Sequence, residues 1–347
     1  MVTHTTYNNE QRTACYPQPT SVTAPQMTAA PMRQGAGRGA AARAVNPPGH
    51  RNTMRPFFPI DLHLHSTVSD GRLRPAALVA RAAERGVRAM ALTDHDTVAG
   101  MPEAAAEAQR RGIELLSGVE LSVTWGKRTL HVVGLGFDVS CPALEALLAH
   151  QDGRRRRRAE RIARHLDRAG IPGALDGATA EAGGGVPGRA HFARFLVASG
   201  VVARPEEAFR RYLGRGRCAA VASEWVGLET GVRVLTEAGG VAVLAHPLRY
   251  GFTRTKCREA VDAVRRAGGH GLEVVCGSDG PGDRSSAAAM ARRTGLRASV
   301  GSDFHDPAFP WRDVGRLHNP PADLPPIWSH WPALTAIAAE WAGDGPP

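Results

Sequence analysis

His63 and His65 stand two residues apart at the end of a short apolar run, and a carboxylate, Asp70, follows five residues later. On a strand, residues i and i+2 project to one face. Two imidazoles therefore converge at a single strand end, which can hold a metal ion. Taken alone, the pair is equally two ordinary polar residues, one of them hydrogen-bonded inward. The rest of the chain decides between these. Thr93-Asp94-His95-Asp96 closes a second apolar run, and Gly118-Val119-Glu120 follows a third. His131 stands at the start of a fourth. Val241–Ala245 runs into His246-Pro247, and Arg297–Val300 into Gly301-Ser302-Asp303-Phe304-His305. The last of these repeats the i, i+2 spacing of the first. Any one has a bland explanation, and Asp96 before Thr97-Val98 reads equally well as a helix cap. Six elements that all carry ligand types are not a chance pattern. Six imidazoles and three carboxylates suit borderline to hard divalent ions such as Mn²⁺, Zn²⁺ or Fe²⁺. Nine ligands are more than one or two ions need, and fit three.

The elements that must position these residues alternate. Ile60–Leu64, Val87–Leu92, Ile113–Ser117 and Leu130–Gly136 read as strands, with helices from Pro75 to about Arg85 and from Val98 to Arg110. Pro75 suits a first helical turn, and Gly86 and Gly112 close the two helices. The alternation resumes with helix Gly227–Ala238, strand Val241–Ala245, helix Lys256–Ala267, strand Leu272–Val275, helix Asp283–Thr294 and strand Arg297–Val300. This is a βα-repeat barrel or a parallel sheet, whose chemistry gathers at the C-terminal ends of its strands. Between the two blocks the pattern is helical: Leu144–Gln151, Arg154–Ala169, His191–Ser199 and Pro205–Leu213. The expected domains are a disordered tail over 1–55, the barrel in two parts over 56–140 and 226–318, a helical insert over 141–225, and a Pro-rich extension over 319–347 with a short terminal helix as a packing appendage.

Composition narrows the class. The 347 residues contain no apolar run long enough for a transmembrane helix, and the N-terminus shows no cationic segment followed by an apolar core, so no secretory leader is expected. Five scattered cysteines without a CxxC pair exclude a zinc ribbon and fit a reducing, cytoplasmic setting. Net charge is +10, which suits a polyanionic substrate. About half of it comes from six arginines against Glu10 alone within residues 1–55. That segment lacks any periodic pattern and reads as disordered, with Met54 as the expected true start. The run Arg154–Arg158 reads as a solvated helix face that also attracts RNA.

The ordered set His-x-His, Thr-Asp-His, Gly-x-Glu, His131, His-Pro and Gly-Ser-Asp-x-His resembles the PHP (polymerase and histidinol phosphatase) family of metal-dependent phosphoesterases over about residues 58–306. In the insert, Gly188-Arg189-Ala190-His191-Phe192-Ala193-Arg194-Phe195-Leu196 and Tyr212-Leu213-Gly214-Arg215-Gly216-Arg217 resemble the subgroup of 3′,5′-nucleotide bisphosphatases and the 5′→3′ exoribonuclease RNase AM. The resemblance implies a distorted α/β barrel of about seven βα units with a trinuclear site. His63, His65, Glu120 and Asp303 would hold the first ion. Glu120, His131 and His246 would hold the second, and Asp70, His95 and His305 the third. Asp70, where histidinol-phosphatase relatives often carry His, favours nucleotide substrates and a harder ion, Mn²⁺. A metal-bound water held by Glu120, His63, His65 and Asp303 would attack phosphorus in line. Arg189 and His191, with Arg217 as a weaker candidate, would bind a second phosphate or the RNA backbone, and His191 or a metal-bound water would serve as proton donor.

The implied substrate is a nucleotide or short RNA, with no membrane and no obligatory protein partner. The products would be 5′-mononucleotides from RNA 5′ ends, or nucleotides freed of a 3′-phosphate. The alternatives are a phosphatase for a small monoester such as histidinol phosphate, and a non-catalytic PHP module.

Overall fold

The apolar strand runs assemble into one barrel. The computed structural model describes residues 57–222 and 224–343, so the expected tail and the proposed start at Met54 lie outside the described residues. Eight strands are formed there: β1 (Ile60–Asp61), β2 (Ala89–Leu92), β3 (Glu114–Trp125), β4 (Arg128–Leu135), β5 (Val226–Gly227), β6 (Val241–Leu244), β7 (Gly271–Cys276) and β8 (Arg297–Gly301). Seven follow the order β1-β2-β3-β4-β6-β7-β8, and β5 pairs with the outer end of β3. The ring closes where the Leu62 N–H donates to the Val300 carbonyl at 3.2 Å. Side chains alternate across its wall. Ala89, Ala91, Val241 and Val243 face the interior, while Met90, Leu92, Ala242 and Leu244 face the helices outside.

One strand departs from the parallel rhythm. β4 pairs antiparallel with both β3 and β6. It is reversed because only the two residues Gly126 and Lys127 separate it from β3, too few for a crossover to a parallel strand. The start of β4 therefore lies at the rim where the parallel strands end. This is why His131, at the beginning of its run, joins residues that follow theirs.

Helices α1 (Pro75–Glu84), α2 (Met101–Arg111), α7 (Leu228–Glu237), α8 (Arg254–Arg266) and α9 (Pro281–Thr294) lie between successive strands in the chain. The expected pair of helices over 144–169 is a single 27-residue helix, α3 (Pro142–Arg168). Gly153 does not interrupt it, since glycine in a helix costs only about 1 kcal/mol and this stretch is anchored. Gln151, fully buried, donates to the Ser122 carbonyl at 2.7 Å and accepts from Val226 N–H at 3.2 Å.

The first half of α3 packs on the barrel through Leu144, Leu147 and Leu148. Its second half carries Ala159, Ile162, Ala163 and Leu166 into a separate apolar core. That core is shared with α4 (Ala174–Glu181), α5 (Arg189–Ala198), α6 (Pro205–Ala208) and the π-helical turn Phe209–Leu213.

At the opposite end, the last helix, α10 (Pro332–Gly343), closes the barrel floor. Ile327, Trp328 and Leu334 join the interior core, and Phe58 meets Trp328 and Trp341 at ring separations of 5.1 and 5.5 Å. No helix among the described residues is long and apolar enough to cross a membrane.

Candidate metal centre

The polar rim is built by tying strand ends to one another. The Asp303 N–H donates to the His63 carbonyl at 2.9 Å, and the His65 N–H donates to the Phe304 carbonyl at 3.0 Å. Buried Asp61 accepts from the Ser302 and Gly315 N–H groups, both at 2.9 Å. Asp94 accepts from the Ser66 N–H at 2.8 Å and from the hydroxyls of Ser66 and Ser69 at 2.6 Å each. That clasp folds residues 66–70 back so that Asp70 rejoins the rim. The only non-glycine residues with positive φ among those described are Asp96 (53°), His246 (27°) and Asp303 (52°). Backbone held in that region costs on the order of 1–3 kcal/mol per residue and gathers at functional sites.

Glu120 sits at the centre. Its Oε1 lies 2.9 Å from His131 Nδ1, 3.0 Å from His246 Nε2 and 3.4 Å from His63 Nε2. Its Oε2 lies 2.8 Å from His95 Nδ1 and 3.2 Å from His65 Nε2. Asp303 Oδ1 stands 3.5 Å from His65 Nε2 and 3.7 Å from His63 Nε2. Asp70 Oδ1 stands 3.2 Å from His305 Nε2 and 3.9 Å from His95 Nε2. The nine residues singled out in the sequence thus form one connected cluster.

Within the cluster, three groups have ligand atoms within 4.8 Å of one another: His63, His65 and Glu120; His95, Glu120 and His131; and His65, Asp70, His95 and His305. His65 and His95 each belong to two groups, whereas the family resemblance allots each to one ion. Asp70 Oδ1, Glu120 Oε2, His95 Nδ1 and His131 Nδ1 are buried with no hydrogen-bond partner. Such atoms are costly to leave bare. Lone pairs of carboxylate and imidazole aimed at shared points are the donor set of divalent metal ions, so the residues fit the group.

Charge in this rim is strongly coupled. Burial opposes ionisation of Glu120, yet His131, His95 and His63 together hold its carboxyl well below the usual range. Asp70 is likewise low because His305 and His95 outweigh its burial. His65 is pushed down to about 3 by burial, with His305 adding to it. His305 is instead raised to about 9, because Asp70 and Asp303 outweigh its burial.

Sequence reasoning missed several partners. Glu273 accepts from His63 Nδ1 at 3.0 Å and from the His246 N–H at 2.6 Å, so one carboxylate orients two of the imidazoles. It lies inside the buried strand β7. A charge at a buried strand position was the available signal. Arg312 Nη2 donates to Asp303 Oδ2 at 2.5 Å. Arg155 was hidden inside the arginine run. It donates to Asp96 Oδ2 at 2.7 Å and to Ser122 Oγ at 3.1 Å.

Beside the cluster lies a cavity of about 220 Å³ lined by Asp70, His95, Asp96, Arg155, Arg156 and His191, among others. It runs between the barrel rim and the helical insert. His191 is buried at the third position of α5. Its Nδ1 accepts the Gly188 N–H at 2.9 Å, which leaves the proton of the neutral ring on Nε2. Burial lowers His191 to about 4.

Arg189 does not line the cavity. Its guanidinium lies 5.9 Å from the Phe209 ring, and burial lowers its pKa while Asp70 opposes the shift. Arg217 is exposed in the turn after Gly214 and does not line this cavity, so the structure does not bring it to the site. Arg194 instead reaches the cluster, donating through Nη2 to the Asp70 carbonyl.

A PHP domain profile matches residues 61–170. Over 268 residues, 77% of this chain and 97% of the relative, the chain is 44% identical to a 5′-3′ exoribonuclease of Haemophilus influenzae. Over 270 residues, 78% of this chain and 95% of the relative, it is 46% identical to a 3′,5′-nucleoside bisphosphate phosphatase of Chromobacterium violaceum. A solved structure of an amidohydrolase from Chromobacterium violaceum with bound sulfate superposes with a TM-score of 0.75 at 44% identity, covering 80% of this chain and 96% of that one.

Proposed function

The chain belongs to the PHP domain family, and from that premise we propose that it is a metal-dependent phosphoesterase acting on nucleotides and RNA. It releases 5′-mononucleotides from RNA 5′ ends and removes the 3′-phosphate of nucleoside 3′,5′-bisphosphates. The observation that carries the reading is the convergence on Glu120 of five imidazoles, each within 3.4 Å of its carboxylate oxygens, beside a cavity roofed by a cationic helical insert. Its close relatives support the substrate class.

We assign His63, His65, Glu120 and Asp303 to one ion. Glu120, His131 and His246 take a second, and Asp70, His95 and His305 a third, with Mn²⁺ favoured by the hard carboxylate of Asp70. Bound divalent ions acidify water and neutralise charge on phosphate oxygens. The chain's own residues do the rest. Glu120 presents one oxygen to each side of the cluster. Glu273 keeps the His63 proton on Nδ1 and so leaves Nε2 free as a ligand. His191 is neutral at pH 7 and offers Nε2–H to a phosphate oxygen. With Arg155 it fixes the phosphate against the rim, and positioning of this kind is most of what phosphoryl transfer requires. A cytoplasmic location suits the four free cysteines among the described residues.

One panel tests this: Mn²⁺-loaded protein with adenosine 3′,5′-bisphosphate, a 5′-phosphorylated RNA and histidinol phosphate. We expect turnover of the first two. Hydrolysis of histidinol phosphate alone, or of none, would overturn the reading. His63→Ala and Asp303→Ala should each abolish hydrolysis of both nucleotide substrates.

A further inference from the structure

The arginine run has a second face that the catalytic cavity does not use. Arg154, Arg157, Arg158 and Arg161 recur at i, i+3, i+4 and i+7 along α3, which puts them on one side of the helix. Together with Trp225 and Glu224 they line a concave pocket of about 320 Å³.

Like charges at this spacing repel, and little here offsets them. Arg156 pairs with Asp152 and Arg164 with Glu160, but among the described residues none of the four pocket arginines has an ion-pair partner. Arg154 Nε donates to His150 Nε2 at 2.7 Å. The Nε of Arg158 is buried with no hydrogen-bond partner. Burial lowers this guanidinium to about 9, with Arg189 and Arg155 adding to the shift. A desolvated guanidinium with a bare donor, flanked by three more, calls for an anion with several acceptor oxygens.

The pocket adjoins the catalytic cavity. The Arg155 and Arg158 guanidiniums lie 5.2 and 5.7 Å from the centre of the same Trp225 ring. Arg155 lines the catalytic cavity and Arg158 the basic pocket, so Trp225 with its two arginines forms the partition. From Arg155 to Arg161 the helix rises about 9 Å, which lets the cationic stripe follow a strand leaving the metal centre.

We propose that this pocket binds the phosphodiester backbone of single-stranded RNA on the 3′ side of the nucleotide being removed. The proposal rests on the nuclease reading above and adds to it an extended binding track that a mononucleotide cannot reach.

The test uses full-length, Mn²⁺-loaded protein and a variant carrying Arg157→Gln and Arg161→Gln. Both residues are exposed, and neither belongs to the proposed catalytic machinery. Binding of a fluorescent, phosphorothioate-protected ten-nucleotide 5′-phosphorylated RNA is followed by anisotropy across a salt series, against a dinucleotide and inorganic phosphate. We expect the variant to bind the ten-mer at least tenfold more weakly. Its slope of log affinity against log salt should shrink by about 1.4, for two lost contacts at about 0.7 each on a single strand. Dinucleotide affinity and adenosine bisphosphate hydrolysis should stay within twofold.

Arg158→Lys keeps the charge and loses the fork, and should weaken ten-mer binding with thermal stability unchanged. Equal ten-mer affinity in wild type and double variant would overturn the proposal, as would a ten-mer that binds no tighter than the dinucleotide. Inorganic phosphate that displaces the ten-mer at equal phosphate concentration would mark the pocket as a free-phosphate site and would also overturn it. Failure of the nuclease reading shows separately, as absent turnover of both nucleotide substrates by wild type.

Discussion

At the residue scale, orientation decides whether nine potential ligands make a metal site. An imidazole binds a metal through one nitrogen, and the other nitrogen's partner selects which. Glu273 makes that selection for His63, and through the His246 N–H it also holds the strained turn after β6. Glu273→Gln keeps the size but removes the charge. We expect Mn²⁺ affinity to fall 10–100-fold, with kcat recovering towards wild type at saturating Mn²⁺. A Mn²⁺ titration of activity beside the total metal content reads both, and an unchanged titration midpoint would remove Glu273 from this role. Residues of this kind were hard to read in the sequence for a physical reason. Most of the nine ligands sit near the boundaries of apolar runs, so they appear as a change of pattern. Glu273 sits within a run and Arg155 among four other arginines, so neither changes its surroundings. Their meaning comes only from contacts between distant segments.

Close backbone approach and helix continuity set the next scale. At the end of β8, a Cβ on Gly301 would stand 2.2 Å from His63 Cβ and 2.6 Å from Glu273 Oε1. Gly301→Ala must therefore push the first ligand and its orienting carboxylate apart. We expect a loss of about 1–3 kcal/mol in stability, typical of overpacking, and a Mn²⁺ affinity that falls alongside it. Gly153 in α3 is the opposite case. Its Cβ would meet only the mobile end of Arg157, at 3.4 Å. Gly153→Ala should stabilise the protein by about 0.5–1 kcal/mol with adenosine bisphosphate turnover unchanged. Calorimetry on the two variants should give shifts of opposite sign. The sequence pattern conveyed the existence of the seven barrel strands, and most of the helices to within a few residues, because periodicity is a local property; it ended the third strand at Ser117, whereas β3 runs on to Trp125, and gave no sign of β5. It split α3 at Gly153, since what carries the helix through is Gln151 buried against Ser122 and Val226, contacts that no local pattern contains. It also could not convey the reversed direction of β4, which follows from pairing.

For the whole molecule, the two ends of the barrel are stabilised in different ways. The floor is apolar, with α10 and Trp328 completing the interior core. The rim is a ring of imidazoles and carboxylates, several of whose buried atoms have no hydrogen-bond partner. A metal that fills those positions in the native state, and lacks an assembled site in the unfolded chain, adds its binding free energy to folding. One site at a hundredfold excess over its dissociation constant contributes about 2.7 kcal/mol. A domain of this size gains about 2–4 °C in Tm for each kcal/mol. Chelation should therefore lower Tm by at least about 5 °C, and Mn²⁺ should restore it in a concentration-dependent way. The floor supplies the control. Trp328→Ala should lower Tm by loss of packing, about 3–5 kcal/mol, yet leave the Mn²⁺-induced rise intact. His63→Ala should shrink that rise instead. A Tm indifferent to chelator in the wild-type protein, with metal shown to be removed, would mean that the rim is rigid without ions and that metal serves chemistry alone.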